Sequence, residues 1–331
     1  MIHQRLNLIV AAAALSFLGG CAVMPGQCIL CQDRPGEAAE KGPKTLLSWE
    51  VGPKDDKNDD DEKKDGANDK KNGDEKKNGA NGKKNGKAEE PNTIATDRPD
   101  FVEATHAVGK GRVQIEAGYT YTRDGNAGER ATSHSYPETL VRIGMFADWF
   151  ELRIGQNFGS QQDIASAPFI EGGQDLYLGF RFDLTEQKGI FPEASLILQA
   201  NLPTGHQSFT GQKILPGFNL LYGWEIIEDR LSLAGSTQIN RRLDEDGHHY
   251  TQYAQAFTMG FKWTKRLGQY TEWFTLVPCG ATASETRTQH YLDGGFTYLI
   301  TDNFQLDIRA GVGLNRAADD FFAGSGFGIR F

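Results

Sequence analysis

The sequence predicts an all-β fold: a transmembrane antiparallel up-and-down β-barrel of about 12 strands, preceded by a disordered N-terminal region. Three observations predict it. From Arg112 onward, apolar residues alternate with small or charged ones at a period of two. The connections between these stretches alternate short and long. The chain ends inside such a stretch, on Phe331, and a membrane barrel needs a last strand that pairs with the first to remove both sheet edges.

Composition is compatible with this. The 331 residues are 38% hydrophobic and include 39 glycines, and beyond the N terminus no apolar run reaches the length of a spanning helix. A modest hydrophobic content does not exclude a barrel, because only every second residue of a strand meets lipid. The net charge is −9 with no sustained basic face, so nucleic acid is not expected as a partner.

Residues 1–21 read as a bacterial export signal. His3 and Arg5 precede the apolar stretch Leu6–Leu18, and Gly19 and Gly20 stand before Cys21. Leu18-Gly19-Gly20-Cys21 resembles the lipobox of bacterial lipoproteins, which implies lipidation of Cys21; Ala22 after it implies outer-membrane sorting. An ordinary cleaved signal is the alternative. In the short segment 22–53, Cys28 and Cys31 form a C-x-x-C without a following histidine, so a local disulfide is expected after export. Cys279 is left as a lone thiol in the barrel region.

Residues 54–90 have 11 lysines, 12 acids and no aromatic or large aliphatic residue, so they cannot bury enough apolar surface to offset ordering entropy. A flexible tether is expected, spanning roughly 35 Å on average. Residues 91–111 lead into the first strand. Within them Thr96–Gly111 is a candidate plug, because Asp97, Arg98, Asp100 and Glu103 could pair inside a lumen; a plain periplasmic lead-in is the alternative.

The barrel is expected over 112–331. Val113, Ile115, Ala117, Tyr119 and Tyr121 alternate with Arg112, Gln114, Glu116 and Gly118. Val141 and Ile143 flank Arg142, and after a turn at Ala147-Asp148 the strand Phe150, Leu152, Ile154 opposes Glu151 and Arg153. Leu176, Leu178, Phe180 and Phe182 oppose Asp175, Gly179, Arg181 and Asp183. Further strands run near Glu193–Leu202, around Phe218–Trp224, near Leu231–Asn240, and through Phe257–Trp263. The stretch Gln269–Val277 is ambiguous in face, because Glu272 falls in line with Tyr270, Phe274 and Leu276. Strands centred on Phe296 and over Phe304–Leu314 follow, and Phe321–Phe331 closes the set. Strands of about ten residues match a tilted crossing of the hydrocarbon layer. A soluble barrel would have to turn the Phe, Leu and Trp residues inward instead.

Aromatic residues gather beside the short turns. Trp149, Trp224, Trp263, Tyr298 and Phe331 are the expected membrane girdle. Outer-membrane lipid is therefore an expected partner, with the barrel-assembly machinery engaged through the C-terminal strand. The opposite face supplies lumen-lining candidates of both signs: Arg112 and Glu116; Arg142, Glu151 and Arg153; Asp175, Arg181 and Asp183; Glu225 and Lys262; Asp293, Asp307 and Arg309. Such residues can pair across strands as a structural ladder or bind solute. Glycines in the same rows, among them Gly118, Gly144, Gly179 and Gly223, are expected to thin the wall and leave space.

Enzyme chemistry has one weak candidate. His206-Gln207-Ser208 has the two-residue spacing of the outer-membrane phospholipase, but lies in a loop without a third residue. His248-His249 beside Asp244, Glu245 and Asp246 reads as a polar loop in preference to a metal site. Catalytic residues, metals and cofactors are therefore expected to be none.

The stretch Thr96-Asp97-Arg98-Pro99-Asp100-Phe101, then Val108 to Tyr119, resembles the start of the barrel proteins grouped as the putative MetA-pathway of phenol degradation family, and Leu202-Pro203-Thr204-Gly205 is similar to that family too. The resemblance spans about Thr96 to Phe331. It implies an outer-membrane protein that passes small, often hydrophobic compounds, and it supplies no binding residues. The lipobox and the charged linker depart from the usual plain signal peptide. The expected function is passive passage of small, hydrophobic or aromatic compounds; the alternative is a non-conducting, lipid-tethered structural or surface barrel.

Overall fold

The computed structural model describes residues 93–125, 130–163 and 167–331. The expectations for the signal, Cys21, Cys28, Cys31 and the linker lie outside the described residues.

Thirteen strands form one antiparallel sheet: β1 (Val113–Asp124), β2 (Ala131–Gly144), β3 (Phe150–Gln162), β4 (Ile170–Gly173), β5 (Leu176–Thr185), β6 (Glu193–Leu202), β7 (Leu215–Ile227), β8 (Leu231–Leu243), β9 (His249–Lys262), β10 (Leu267–Cys279), β11 (Gln289–Thr301), β12 (Phe304–Gly313) and β13 (Phe321–Arg330). The short β4 and β5 pair with successive parts of β3, so they are one wall strand interrupted at Gln174 and Asp175. The wall therefore has the twelve strands the sequence predicts.

The sheet closes on itself. β13 pairs with β1 from Gln114↔Arg330 to Arg123↔Phe321. Val113 N–H donates to the Phe331 carbonyl at 3.2 Å, and Phe331 N–H to the Val113 carbonyl at 2.8 Å. Among the described residues each of the twelve wall strands pairs on both sides over its main part, with only the short β4 extension paired on one side, which is the closure a sheet needs to cross a bilayer.

Register fixes the two faces. Gln114 lies opposite Arg142, Arg142 opposite Arg153, and Glu151 opposite Arg181, and all five side chains are buried. The intervening residues point outward and leave a belt of large apolar side chains exposed, including Leu198, Phe218, Met259, Phe296 and Ile308, the last 56% accessible. An exposed apolar belt around a charged interior is the arrangement for lipid outside and a polar lumen inside.

The structure differs from expectation at three places. The stretch Arg123–Glu138, one of the long connections expected between the alternating stretches that end at Tyr121 and resume at Val141, is largely strand in its described residues. Ala131–Ser135 is polar on both faces, so it carries no membrane signature, yet it pairs with β1 and β3. The pairing then breaks around Pro137, which has no N–H for the ladder, and Glu138 adopts a positive φ of 45°. On β10, the ambiguous row of Tyr270, Glu272 and Phe274 is buried on the inward side. Cys279, expected as a lone thiol, is disulfide-bonded.

Candidate functional site

The lumen is occupied by the chain's own lead-in, residues 94–111. Ile94 N–H donates to the Asp302 carbonyl at 2.7 Å, which ties the entry to the β11–β12 turn. The main chain then runs past wall carboxylates that accept its N–H groups. Glu116 accepts from Asp97 and Arg98 at 2.9–3.1 Å. Glu272 accepts from Phe101 and Val102 at 2.6 and 2.9 Å. Asp183 accepts from Ala107, Glu151 from Val108 and Asp148 from Lys110. An irregular backbone needs partners for its N–H groups when it leaves water, and the inward acids of the wall provide them.

Side chains complete the attachment. The Asp97 carboxylate meets Arg142 at 3.1 Å, Arg153 at 2.6 Å and Arg181 at 3.3 Å. Glu103 pairs with Arg153 at 2.8 Å. Arg142 also grips Glu151 through two bonds of 2.9 and 3.0 Å. Buried charges persist only when paired and hydrogen-bonded, and here each guanidinium has at least two acids within 4.0 Å. Burial works to raise the Asp97 pKa, but the Arg142, Arg153 and Arg181 charges outweigh it and hold the carboxyl well below the usual range.

Arg98 leans the other way, to Glu138 at 2.5 Å and Asp307 at 3.5 Å. Its guanidinium lies flush against the wall, where a Cβ at Gly118 or Gly326 would overlap it. A Cβ at Gly144 would overlap the Gly109 carbonyl, and one at Gly328 would overlap Thr96. These glycines make room for the segment instead of leaving the lumen empty. Gly179 is covered from its own wall, by the Tyr177 ring.

The sequence-predicted residues fall into distinct places. Glu116, Arg142, Glu151, Arg153, Arg181, Asp293 and Asp307 are buried inside the barrel. Asp183 and Arg309 are also inward, Arg309 donating to the Pro99 carbonyl at 2.9 Å. Arg112 is half-buried where the segment joins β1. Three candidates are not central. Asp175, at the interruption between β4 and β5, accepts from the backbone of Gly205 and Gly211 and so fastens a long loop. Glu225 and Lys262 stand at the exposed short-turn rim, where Glu225 accepts from Asp229 N–H and Lys262 pairs with the Asp229 carboxylate. Their alternation matched lumen positions, but they stand at the short-turn ends of their strands, Glu225 two residues before the end of β7 and Lys262 the last of β9, and solvent reaches them. The girdle candidates Trp149, Trp263, Tyr298 and Phe331 are exposed outside the wall, and Trp224 is half-buried with its indole N–H on the Ile190 carbonyl.

Glu138, Glu193 and Glu272 are contacts the sequence did not single out as lumen groups. Glu138 enters only because the break at Pro137 turns it inward. Glu193 opens its strand; it accepts from the Thr105 hydroxyl and lies 3.3 Å from His106. The alignment of Glu272 with aromatic residues was the available signal for the third. That row forms an inner apolar cluster: Phe101 stacks on Phe274 at 4.7 Å, Phe274 on Tyr291 at 4.7 Å, and Val102, Ile197, Leu221, Ala256 and Phe322 pack around them.

A cavity of about 530 Å³ lies between the segment and the wall near the short-turn end. Val102, Glu103 and Thr105 line it on one side, Gly223, Ala234, Thr258 and Tyr270 on the other. The His206-Gln207-Ser208 stretch forms no acid–base pair through its side chains: the Ser208 backbone N–H, not its hydroxyl, approaches His206 Nδ1 at 3.4 Å. His248 Nδ1 lies 3.0 Å from the Thr282 hydroxyl, within a loop contact organised by Asp244.

A closed twelve-strand barrel with an apolar outside and a polar, charged inside is a bacterial outer-membrane β-barrel. Residues 96–331 match the family model described as "Putative MetA-pathway of phenol degradation", and the chain belongs to that family. No curated protein matches it. Among solved structures, the barrel is similar to the COG4313 outer membrane channel from Pseudomonas putida F1, with a TM-score of 0.55 at 14% identity, covering 69% of this chain and 98% of that one. That similarity concerns the fold. The NanC porin is more distant, with a TM-score of 0.44 at 8% identity, covering 66% of this chain and 98% of the porin.

Proposed function

We propose that this protein is a passive outer-membrane channel for small compounds, its bore narrowed by residues 94–111. The observation that carries the reading is a polar lumen only partly filled: the segment is bound to the wall, yet a cavity of about 530 Å³ remains beside it. A porin-like open pore is not required; the bore is that of a selective path. The Phe101–Phe274–Tyr291 stack places aromatic faces on the lumen side, which supports passage of small hydrophobic or aromatic compounds. Single-channel recording in planar bilayers tests the proposal, together with swelling of proteoliposomes in small phenols and in sugars of similar size. Conductance with faster uptake of the phenols is expected.

The tight packing of Phe101 and Val102 favours the competing reading, a barrel that does not conduct. Absence of both conductance and uptake, in the intact chain and in one lacking 94–111, would establish it. Lipidation of Cys21 belongs to the proposal as well, and incorporation of labelled palmitate, lost on Cys21→Ser, is the measurement.

A further inference from the structure

The two sides of the lumen are chemically unlike. The charged wall groups that hold the segment come from β1–β6 and β10–β12: Glu116, Arg142, Arg153, Asp183, Glu272 and Arg309 are examples. On β7, β8 and β9 the charged inward residues of the cavity lining, Glu225 and Lys262, stand at the short-turn rim, and the inward positions deeper than these that face the segment are uncharged. Gly223, Ala234 and Thr258 form the first wholly uncharged row in from the short turns and line the cavity, with Glu225, Ser232 and Gly260 in the row outside it.

One row further in, the space closes. Leu221 and Ala256 are fully buried in the cluster that contains Val102, Phe274 and the adjoining Phe101. Val102 belongs to both the cavity lining and this cluster, so it marks the boundary between open space and closed. Glu272 fixes the tip by accepting both N–H groups of Phe101 and Val102.

Beyond the closure, an uncharged ladder continues toward the long loops. Ser236 donates to Asn219 at 2.7 Å, Gln238 to Ser236 at 3.2 Å, Asn240 to Gln238 at 3.2 Å, and Gln199 to Asn240 at 2.8 Å. Cavity, apolar closure and amide ladder thus follow one another along the same strands. The ion pairs hold the segment against the other side.

We infer that solutes cross along the inward face of β7–β9, and that Phe101 and Val102 form the constriction that decides what passes. This rests on the channel reading above. An apolar constriction opposes hydrated ions because water leaves it, while a solute with an apolar face replaces the contacts it breaks. Side-chain movement of two residues opens the route, with the ionic attachment of the segment left in place.

The test compares four proteins in planar bilayers: the intact chain, Phe101→Ala/Val102→Ala, the same double variant with Thr258→Lys, and a chain lacking 94–111. Heat-modifiable gel mobility confirms that each is folded; the single Val102→Ala, which removes two methyl groups, is the milder variant if the double one does not assemble. A severalfold rise in conductance is expected on truncating the pair. Adding the lysine should shift the reversal potential toward anion preference. If the truncation conducts like the intact chain while the deletion conducts freely, the constriction lies elsewhere and the inference falls. An unchanged reversal potential in a conducting Thr258→Lys barrel overturns the assigned route. Silence of the deletion overturns the channel reading itself, a separate result.

Discussion

Asp97→Asn is the most informative single change in the attachment of the inner segment. The carboxylate contacts three buried guanidiniums and accepts the Ala104 N–H at 3.0 Å. Breaking a buried ion pair costs about 3–5 kcal/mol when it strands a charge. None is stranded here: Arg142 keeps Glu116 and Glu151, and Arg153 and Arg181 keep Glu103. Asparagine also retains an oxygen for Ala104. The loss is therefore nearer that of a charge-assisted hydrogen bond, about 2–3 kcal/mol. At 1.4 kcal/mol per decade this is roughly a hundredfold rise in the undocked population of the segment. Hydrogen exchange reads it directly, as a drop of about two decades in protection at Asp97, Arg98 and Ala104, with the wall strands unaffected. Wild-type protection at those three amides in the variant would refute the assignment of Asp97 as the central tie. The pH dependence has a definite sign. Because the folded pKa is lowered, the contribution of Asp97 is fully present above the ordinary carboxylate value of about 3.9 and is lost only as pH falls through the lower folded one. Protection of the Ala104 amide, whose acceptor is the Asp97 carboxylate itself, should persist at about pH 4 in the wild-type chain, and its loss between about pH 5 and pH 4 would contradict the geometry.

Three further outcomes are expected. Gly144→Ala places a methyl against the Gly109 carbonyl, a backbone atom that cannot rotate away, so it should cost about 1–3 kcal/mol and displace the segment at its junction with β1; urea titration of folded barrel measures it. Deleting Phe331 removes the two hydrogen bonds with Val113 that begin the closing seam, and should slow appearance of the heat-modifiable folded form; an unchanged assembly rate would show that the seam zips from its other end. Asp244→Ala removes the acceptor shared by the backbone of His248, Thr282 and Ala283, and should raise protease cleavage within 244–248 and 280–288 without altering the barrel.

The wall was legible in the sequence because lipid and lumen impose opposite demands on neighbouring residues. The outward Phe218, Met259 and Ile308 and the inward Arg142, Glu151 and Arg181 all followed from a period of two. Position along the strand was less legible: alternation gives a residue's face but not its depth, so Glu225, Lys262 and Asp175 were grouped with residues that lie far inside. Glu138 was hidden by the break at Pro137, where the period itself is interrupted. The row of Tyr270, Glu272 and Phe274 was ambiguous because alternation distinguishes only lipid from water, and this row faces neither. It faces another stretch of the same chain. The wall glycines misled for the same reason, since a missing side chain shows that something comes close without showing what.

The wall carboxylates hold the inner segment mostly by its main chain. Seven of its N–H groups, at Asp97, Arg98, Phe101, Val102, Ala107, Val108 and Lys110, donate to acids on the barrel. A grip on backbone is indifferent to side-chain identity. Residues such as Phe101, Val102 and Thr105 can therefore be exchanged while the segment keeps its place. In evolutionary terms the holder is separate from what it holds: the side chains that the segment turns to the lumen can change one at a time without loosening the attachment.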